Sequence, residues 1–339
     1  NGDGTFSEVS KKVTRQTSMF GMGVDASDFN NDGLIDILQV DMTPGDYKRS
    51  KTNMASMSPE TFYQAIDMGF NYQYMQNALQ LNNGILKDQH PSFSNIARYA
   101  GIATTDWSWG AIFSDFDNDG HKDVFISNGV KRDVNNNDVN AAYNTEAMFG
   151  IKKPKDFTKM PSTPISNYAF KNNGDFSFTN STELWGLNKK GFSNGFSTAD
   201  LDNDGDLELI VNNIDAPASI YVNNLNDSSN NYLRIKLIGN KLNPFGIGSK
   251  ITVKSNASSQ TQELTLTRGY QSSVETILHF GLGDTDVIEE INIVWPLGKT
   301  QTLRDVKANQ LLEIDYRNAV SPTKNQIEQT VNFQDITKI

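Results

Sequence analysis

The 339-residue sequence predicts an all-β protein in two parts, a radial set of repeated sheets followed by a small β-sandwich or barrel. Three observations support this fold class. A nine-residue acidic segment occurs three times, and an apolar strand pattern follows each copy. The copies start 87 and 85 residues apart, which leaves room for one sheet per copy. From about residue 231 the repeat stops, and short alternating segments divided by turn residues take its place.

The composition excludes several classes of protein. The chain has no cysteine and only three histidines, so disulfide frameworks, zinc-thiolate sites and cysteine nucleophiles are ruled out. The formal net charge is −10, but twelve of the forty acidic residues lie in the three acidic segments, and without those twelve it is +2. We therefore expect no nucleic-acid-binding surface. Because no apolar run reaches 18 residues, we expect no transmembrane segment in this chain.

The acidic segments read DFNNDGLID, DFDNDGHKD and DLDNDGDLE, at Asp28–Asp36, Asp115–Asp123 and Asp200–Glu208. Oxygen-bearing side chains at positions 1, 3 and 5, glycine at 6 and a carboxylate at 9 suit a loop wrapped around a hard cation, and oxygen-only ligands favour Ca²⁺. An EF-hand is excluded because position 12 is not glutamate and the flanking segments are strands. An ordinary hairpin turn is the alternative. A segment that only had to form a hairpin turn would not need up to four carboxylates close together, because these groups repel each other.

These loops, with the phrase NNG or NN that recurs in LQLNNG, AFKNNGDFSF and IYVNNL, resemble the FG-GAP/VCBS-repeat β-propellers over about residues 1–225. The resemblance implies integrin-like blades with a calcium loop between their first and second strands. The resemblance implies five calcium ligands in each loop, and the fourth of them binds through its backbone carbonyl. The implied ligands are Asp28, Asn30, Asp32, Leu34 and Asp36; Asp115, Asp117, Asp119, His121 and Asp123; and Asp200, Asp202, Asp204, Asp206 and Glu208. Since Asn30 removes one charge, we expect the first of the three calcium sites to be the weakest.

The number of blades and the lengths of the repeats suggest a piece of a longer protein with two helical inserts. Three calcium blades and a leftover outer strand at Asn1–Val9 cannot close a ring, which needs at least four blades. The first two repeats carry inserts of nearly forty residues with helix signals. Ser58, Pro59 and Gly69 can cap, start and end one helix. In the other, Asn137 or Asp138 can cap and Gly150 can end it.

The inserts are expected on the face opposite the calcium loops, where they would present aromatic side chains. The ligand-face candidates are Tyr63, Tyr72, Tyr74, Tyr143 and Phe149, and the alternative is that these rings only pin the inserts to the propeller. Trp107 and Trp109 share one face of an inner strand, and core or channel lining is the favoured interpretation for them, with ligand contact as the alternative.

The C-terminal phrases FGIGSKITV, RGYQSS, HFGLG, IVWPLGKTQTL and ANQLLEI resemble the ASPIC/UnbV domain, which follows a VCBS propeller in cartilage acidic protein-like chains. Among its predicted strands is QELTLTR. We interpret His279 as structural because no cysteine or second histidine accompanies it. The predicted organisation is propeller blades over 1–226, the ASPIC/UnbV β domain over 231–316, a linker over 317–330 and the start of a further repeat unit over 331–339.

We expect a non-catalytic, calcium-binding module at a bacterial cell surface, where it binds a glycan or protein. An accessory role in an outer-membrane uptake complex is one form that this function could take. The alternative is a polysaccharide lyase or hydrolase on the insert face, and a third option is an architectural subunit of a surface complex. Candidate acids or bases for the enzyme alternative are Asp41, Asp46, Asp67, Asp106 and Glu146, among which the sequence shows no recognisable pair.

Overall fold

A computed structural model describes residues 4–53, 58–85, 90–148, 156–224, 230–255 and 258–321. Its strands up to residue 224 are β1 (Gln16–Ser18), β2 (Val24–Ser27), β3 (Asp36–Gln39), β4 (Met42–Thr43), β5 (Tyr72–Tyr74), β6 (Ala78–Ile85), β7 (Pro91–Asn95), β8 (Asp106–Ser114), β9 (Asp123–Asn128), β10 (Ile165–Ser166), β11 (Tyr168–Asn172), β12 (Phe178–Asn180), β13 (Lys190–Gly191), β14 (Ser193–Ala199), β15 (Glu208–Asn213) and β16 (Ser219–Tyr221). The helices are α1 (Ser10–Val13), α2 (Tyr47–Thr52), α3 (Pro59–Asp67) and α4 (Asn137–Met148).

Each acidic segment connects the first two strands of one antiparallel sheet, as a propeller blade requires. The first sheet has the order β2-β3-β6-β7, the second β12-β11-β9-β8-β4 and the third β14-β15-β16. The inner strand β8 lies against β2 on one side and β14 on the other. This propeller-like arrangement confirms the predicted fold class.

Buried aromatic rings hold neighbouring blades together. Phe29 of the first blade packs against Phe113 and Phe178 of the second, with ring centroids 5.9 and 5.7 Å apart. Phe125 of the second blade meets Phe196 of the third edge to face at 5.2 Å. These rings belong to two buried apolar clusters between successive blades, so the core of this part is a stack of blade interfaces.

Both inserts contain the predicted helices. Ser58 caps α3, since its hydroxyl accepts from the Thr61 N–H at 3.4 Å, Pro59 starts the helix and Gly69 follows its end with φ +94°. The predicted cap of α4 is wrong: Asn136 Oδ1 accepts from the Val139 N–H at 3.0 Å, because the helix begins at Asn137 itself. Phe149 and Gly150 lie outside the described residues.

The outer strand predicted at Asn1–Val9 is wrong for the part that is described. Residues 4–9 form no strand, and the short helix α1 begins at Ser10. A strand gains its ladder hydrogen bonds only from a neighbouring strand, and no described strand lies beside residues 4–9.

The C-terminal domain is a two-sheet β-sandwich. Its strands are β17 (Asn231–Ile238), β18 (Lys250–Ser255), β19 (Ser258–Glu263), β20 (Ile277–Gly283), β21 (Val287–Val294), β22 (Thr300–Lys307) and β23 (Gln310–Asp315). The sheets have the orders β20-β17-β23 and β19-β18-β21-β22 and enclose a core that includes Ile235, Phe280 and Trp295. Residues 317–320, which the predicted linker includes, still belong to this domain because Ala319 is buried and Val320 pairs with Thr300.

The strand predicted at QELTLTR is also misplaced. β19 ends at Glu263, and residues 264–276 leave the sandwich as an irregular hairpin closed by a bridge between Thr267 and Ser273. We call residues 264–276 the axial hairpin, because it reaches the inner strands of the blades.

Candidate metal sites and the domain that covers them

The three acidic loops have the same backbone conformation. The asparagine at position 4 is left-handed in each, with φ of 62°, 57° and 63°, and the glycine at position 6 follows with φ of 84°, 89° and 92°. The position-1 carboxylate accepts a hydrogen bond from that glycine's N–H in every loop, Asp28 from Gly33 at 2.8 Å, Asp115 from Gly120 at 2.9 Å and Asp200 from Gly205 at 3.1 Å. Side chains at odd positions are thereby directed into the loop.

The position-9 carboxylate of each loop is fixed by the recurring asparagine of the third strand. One oxygen accepts the N–H of the residue at position 2, and the other accepts the N–H of that asparagine. The asparagine donors are Asn82 to Asp36 at 2.8 Å, Asn172 to Asp123 at 2.9 Å and Asn223 to Glu208 at 3.3 Å. These donors are backbone N–H groups, whereas the asparagine side chains donate to the carbonyl at position 8 of each loop. The Nδ2–O distances are 3.0 Å for Asn82 to Ile35, 3.0 Å for Asn172 to Lys122 and 3.4 Å for Asn223 to Leu207, so the asparagine also fixes the loop backbone next to its last carboxylate.

The loops are also linked from blade to blade. Asn31 of the first loop donates to the Gly120 carbonyl of the second at 2.9 Å, and Asn118 of the second donates to the Gly205 carbonyl of the third at 3.0 Å. One side-chain hydrogen bond therefore joins each loop to the next.

The second and third loops bring carboxylate oxygens close enough to share one ion. Oxygens of Asp115, Asp117 and Asp123 lie within 4.8 Å of one another. The third loop does the same with Asp200, Asp202 and Glu208, and Asp204 and Asp206 form a second such group with Glu208. Among the described residues the first loop forms no such group of three carboxylates, and Asn30 turns its amide toward Asp32 at 2.9 Å.

Burial makes these carboxylates costly without a cation. In the first loop, burial followed by repulsion from Asp32 raises the pKa of Asp28 to about 6, and burial raises the pKa of Asp36 to about 7. Burial and the neighbouring carboxylates raise the pKa of Asp123 in the second loop. One oxygen each of Asp115 and Asp117 is buried with no hydrogen-bond partner among the described residues. The donor set therefore fits a hard divalent cation.

Cationic side chains of the protein approach two of the loops. The Lys171 ammonium contacts Asp117 and lies 2.7 Å from Asp119. The first and third blades carry apolar residues, Leu81 and Val222, at the position that corresponds to Lys171. Arg234 of the sandwich lies 2.7 Å from Asp200 and 3.0 Å from Glu275. These side chains partly neutralise the loops.

The sandwich covers the second loop through the HFGLG phrase of β20 and reaches the third loop through Arg234 of β17. His279 Nε2 lies 2.6 Å from Asn118 Oδ1, and the Gly283 N–H donates to the Asn118 carbonyl at 2.8 Å. Because the Asn118 amide donates elsewhere, His279 Nε2 carries the proton. Burial, with Lys122 and Arg234 nearby, lowers the pKa of His279 to about 3, so the ring is neutral. A Cβ on Gly281 would lie 2.1 Å from Asp115 Oδ2, so the strand passes directly over the loop.

The axial hairpin extends along the inner strands of the blades. Arg268 forks onto Asp25 of β2, with Nε–Oδ1 and Nη2–Oδ2 distances of 2.9 and 2.5 Å, and also donates to the Phe113 carbonyl of β8 at 2.9 Å. Tyr270 packs on Trp109 with ring centroids 5.0 Å apart. The half-buried Trp109 therefore packs against the axial hairpin, and Trp107 is half-buried on the same strand.

Three of the aromatic candidates on the insert side contact the same ring, that of Phe62. Tyr63 is 63% exposed and Tyr72 49% exposed, and both rings contact Phe62, at 5.4 and 6.3 Å. Tyr74 contacts Phe62 at 5.5 Å, and Tyr143 is half-buried on α4.

Three of the candidate acids have structural partners. Asp41 accepts from Ser18, Met19 and Phe20 within 3.0 Å, Asp46 caps α2, and Asp106 pairs with Arg49. Asp67 lies in α3 and Glu146 in α4.

Two family models match the chain. Residues 161–211 match the FG-GAP-like repeat, and residues 239–321 match the ASPIC and UnbV domain. The chain therefore combines a propeller-like arrangement of sheets, part of which is similar to FG-GAP-like repeats, with a C-terminal domain that is similar to ASPIC and UnbV.

Cartilage acidic protein 1 of mouse and of human are each 24% identical to this chain over 322 residues, which is 93% of the chain. The match covers 40% of the mouse protein and 39% of the human protein, so the chain spans about two fifths of the length of these relatives. In the described part of the chain, no helix is both long and apolar enough to span a membrane.

Proposed function

We propose that the chain is a calcium-stabilised, non-catalytic binding module exposed at the cell surface. The observation that carries the proposal is the repeated loop, in which backbone N–H groups orient carboxylates that have unsatisfied buried oxygens. Calcium would be held by the loop ligands at positions 1, 3, 5 and 9 and the position-7 carbonyls, and it would supply the positive charge that offsets the repulsion between the carboxylates.

The location follows from the expected affinity. Extracellular calcium modules have dissociation constants of about 10⁻⁴–10⁻³ M, so such sites fill only at millimolar calcium, as found outside cells. At that concentration each site contributes on the order of 1 kcal/mol to the free energy of unfolding. An outer-membrane complex is one setting for a bacterial protein of this kind, and the insert face is the surface we assign to a glycan or protein ligand.

The proposal assigns no catalytic role to the insert face. Asp41, Asp46 and Asp106 are committed to capping and pairing interactions that hold the inserts and strand ends in place. A carboxylate pair for glycoside cleavage requires two uncommitted groups about 5–10 Å apart.

The test is the melting temperature of the protein in millimolar CaCl₂, in MgCl₂ and in excess EDTA. Calcium should raise it, and Asp117→Asn and Asp202→Asn should each reduce the increase. Asp67→Asn on α3 is the matched control and should leave the increase unchanged. A melt that is the same in calcium and in EDTA would refute the proposal.

A further inference from the structure

A groove of about 450 Å³ opens at the edge of the first blade, on the side of the inserts. It lies beside the parallel pair β1–β5 and the end of β7, and Arg15, Tyr72, Tyr74, Phe93 and Asn95 contribute to its wall. Its volume is in the range of small-molecule sites in proteins. The sequence pointed to Tyr72 and Tyr74 but to none of the other three residues.

The aromatic residues give the groove an apolar wall with polar edges. Tyr72 is 49% exposed, and Tyr74 and Phe93 are half-buried, so their rings are held by the protein and still reach the groove. Tyrosine combines a flat apolar face with a hydroxyl that can donate or accept. Such a wall suits a ligand with apolar C–H faces and hydroxyl edges, which is the chemistry of a sugar ring.

Arg15 is held in a backbone conformation that arginine seldom adopts. Its φ of 56° is left-handed, a conformation that is unfavourable for a residue with a Cβ atom. Its side chain is exposed, and no described carboxylate lies within 4.0 Å of its guanidinium. Residues in such conformations cluster at ligand sites, where the surrounding structure holds them.

The groove is cationic although the protein is acidic. Lys11 and Lys12 are exposed on α1, which contacts β7. The helix ends at Val13, two residues before Arg15. The nearby Glu8 carboxylate accepts the Ser10 N–H at 2.6 Å and faces that helix start. Arg15 is the charged side chain among the described residues that line the groove, and Lys11 and Lys12 lie on the neighbouring helix α1. This local positive charge on a protein with net charge −10 favours an anionic ligand.

Asn95 adds a hydrogen-bond donor at the groove. Its Oδ1 accepts from the N–H groups of Leu79 and Ala97 at 3.2 and 3.1 Å, which fixes the orientation of the amide. The Nδ2 is buried without a hydrogen-bond partner among the described residues. Because this Nδ2 is buried, it lies behind the groove wall, and a ligand hydroxyl or bridging water reaches it only when the side chains around it shift.

We infer that this groove binds an acidic saccharide, with a sugar ring against Tyr72 and its carboxylate or sulfate on Arg15. The inference rests on the proposed function as a binding module, and it names the ligand class and the place. Arginine suits this role because its planar fork matches a carboxylate with two hydrogen bonds.

The experiment is an affinity measurement with the full chain in calcium against hexuronate, sulfated and neutral tetrasaccharides. We expect an acidic tetrasaccharide to bind and Tyr72→Ala to weaken binding at least tenfold. Arg15→Asn, which keeps the left-handed backbone, should remove the preference for the acidic tetrasaccharide over its methyl ester or desulfated form. Tyr99→Ala is the matched control, since Tyr99 is 71% exposed and does not line the groove.

Three outcomes would overturn the inference: no saccharide binds, only neutral saccharides bind, or the affinity is unchanged in both groove variants. In each case the calcium-dependent melt still decides the proposed function separately. If the melt depends on calcium while the groove variants bind normally, the module stands and the ligand site lies elsewhere.

Discussion

Replacing Arg268 by methionine should weaken the contact between the axial hairpin and the blades. Arg268 is the centre of the contact between the axial hairpin and the inner strands, since its guanidinium binds the Asp25 carboxylate and the Phe113 carbonyl. Methionine keeps most of the side-chain volume but removes the charge. The Asp25 carboxylate would then retain only the Phe113 N–H, which donates to it at 2.7 Å.

The expected cost follows from burial. Asp25 is 5% exposed and the Arg268 side chain 19% exposed, so the pair lies largely out of solvent. Removing one partner of a buried ion pair costs about 3–5 kcal/mol because the other charge stays buried without compensation. We expect a loss of about 3 kcal/mol in the free energy of unfolding, at the low end because Arg268 keeps some contact with water.

The assay is urea unfolding followed by circular dichroism and by tryptophan fluorescence, to which Trp109 beneath Tyr270 contributes as one of the chain's four tryptophans. Arg304→Met is the matched control, because Arg304 forms an exposed pair with Glu290 and should cost less than 1 kcal/mol. In the double variant with Asp25→Asn, part of the loss should be recovered, since the buried charge is gone. If Arg268→Met costs no more than Arg304→Met, the hairpin does not anchor the domain.

Three further predictions concern the loops. Gly281→Ala should destabilise the protein by about 1–3 kcal/mol in urea unfolding because its Cβ would overlap Asp115, whereas Gly191→Ala meets nothing within 4 Å and should be neutral. Lys171→Met should raise the calcium affinity of the second loop about tenfold in calorimetry, since a competing cation is removed; a weaker affinity would contradict this. In EDTA the melting temperature should fall as pH rises from about 4 to 7. The raised folded-state pKa values of Asp28 and Asp36 make their ionisation unfavourable to folding, and added calcium should abolish that fall.

The features that the sequence predicts well are local. The three loops need only nine consecutive residues each, and the helix α3 carries its own cap at Ser58 and start at Pro59. The alternation of apolar and polar residues was sufficient to predict most strands of the sandwich. The cap of α4 was misassigned by one residue because three consecutive asparagines, at 135–137, offer the same side chain.

The features that the sequence does not predict depend on contacts between distant segments. Residues 264–268 alternate like a strand, but the axial hairpin that contains them contacts Asp25, Trp109 and Phe196, between 76 and 243 positions away. These tertiary contacts override the local pattern. Lys171 contacts the second loop from the third strand of its blade. Comparing Leu81, Lys171 and Val222 within the repeat could have identified this lysine, because it alone carries a charge.

The most direct test of the account is anomalous diffraction from crystals grown with calcium or a lanthanide in its place. We predict one strong peak in each of the loops at residues 28–36, 115–123 and 200–208, surrounded by oxygen ligands. Loops without any peak at millimolar ion, with the carboxylates turned away from one another, would contradict it.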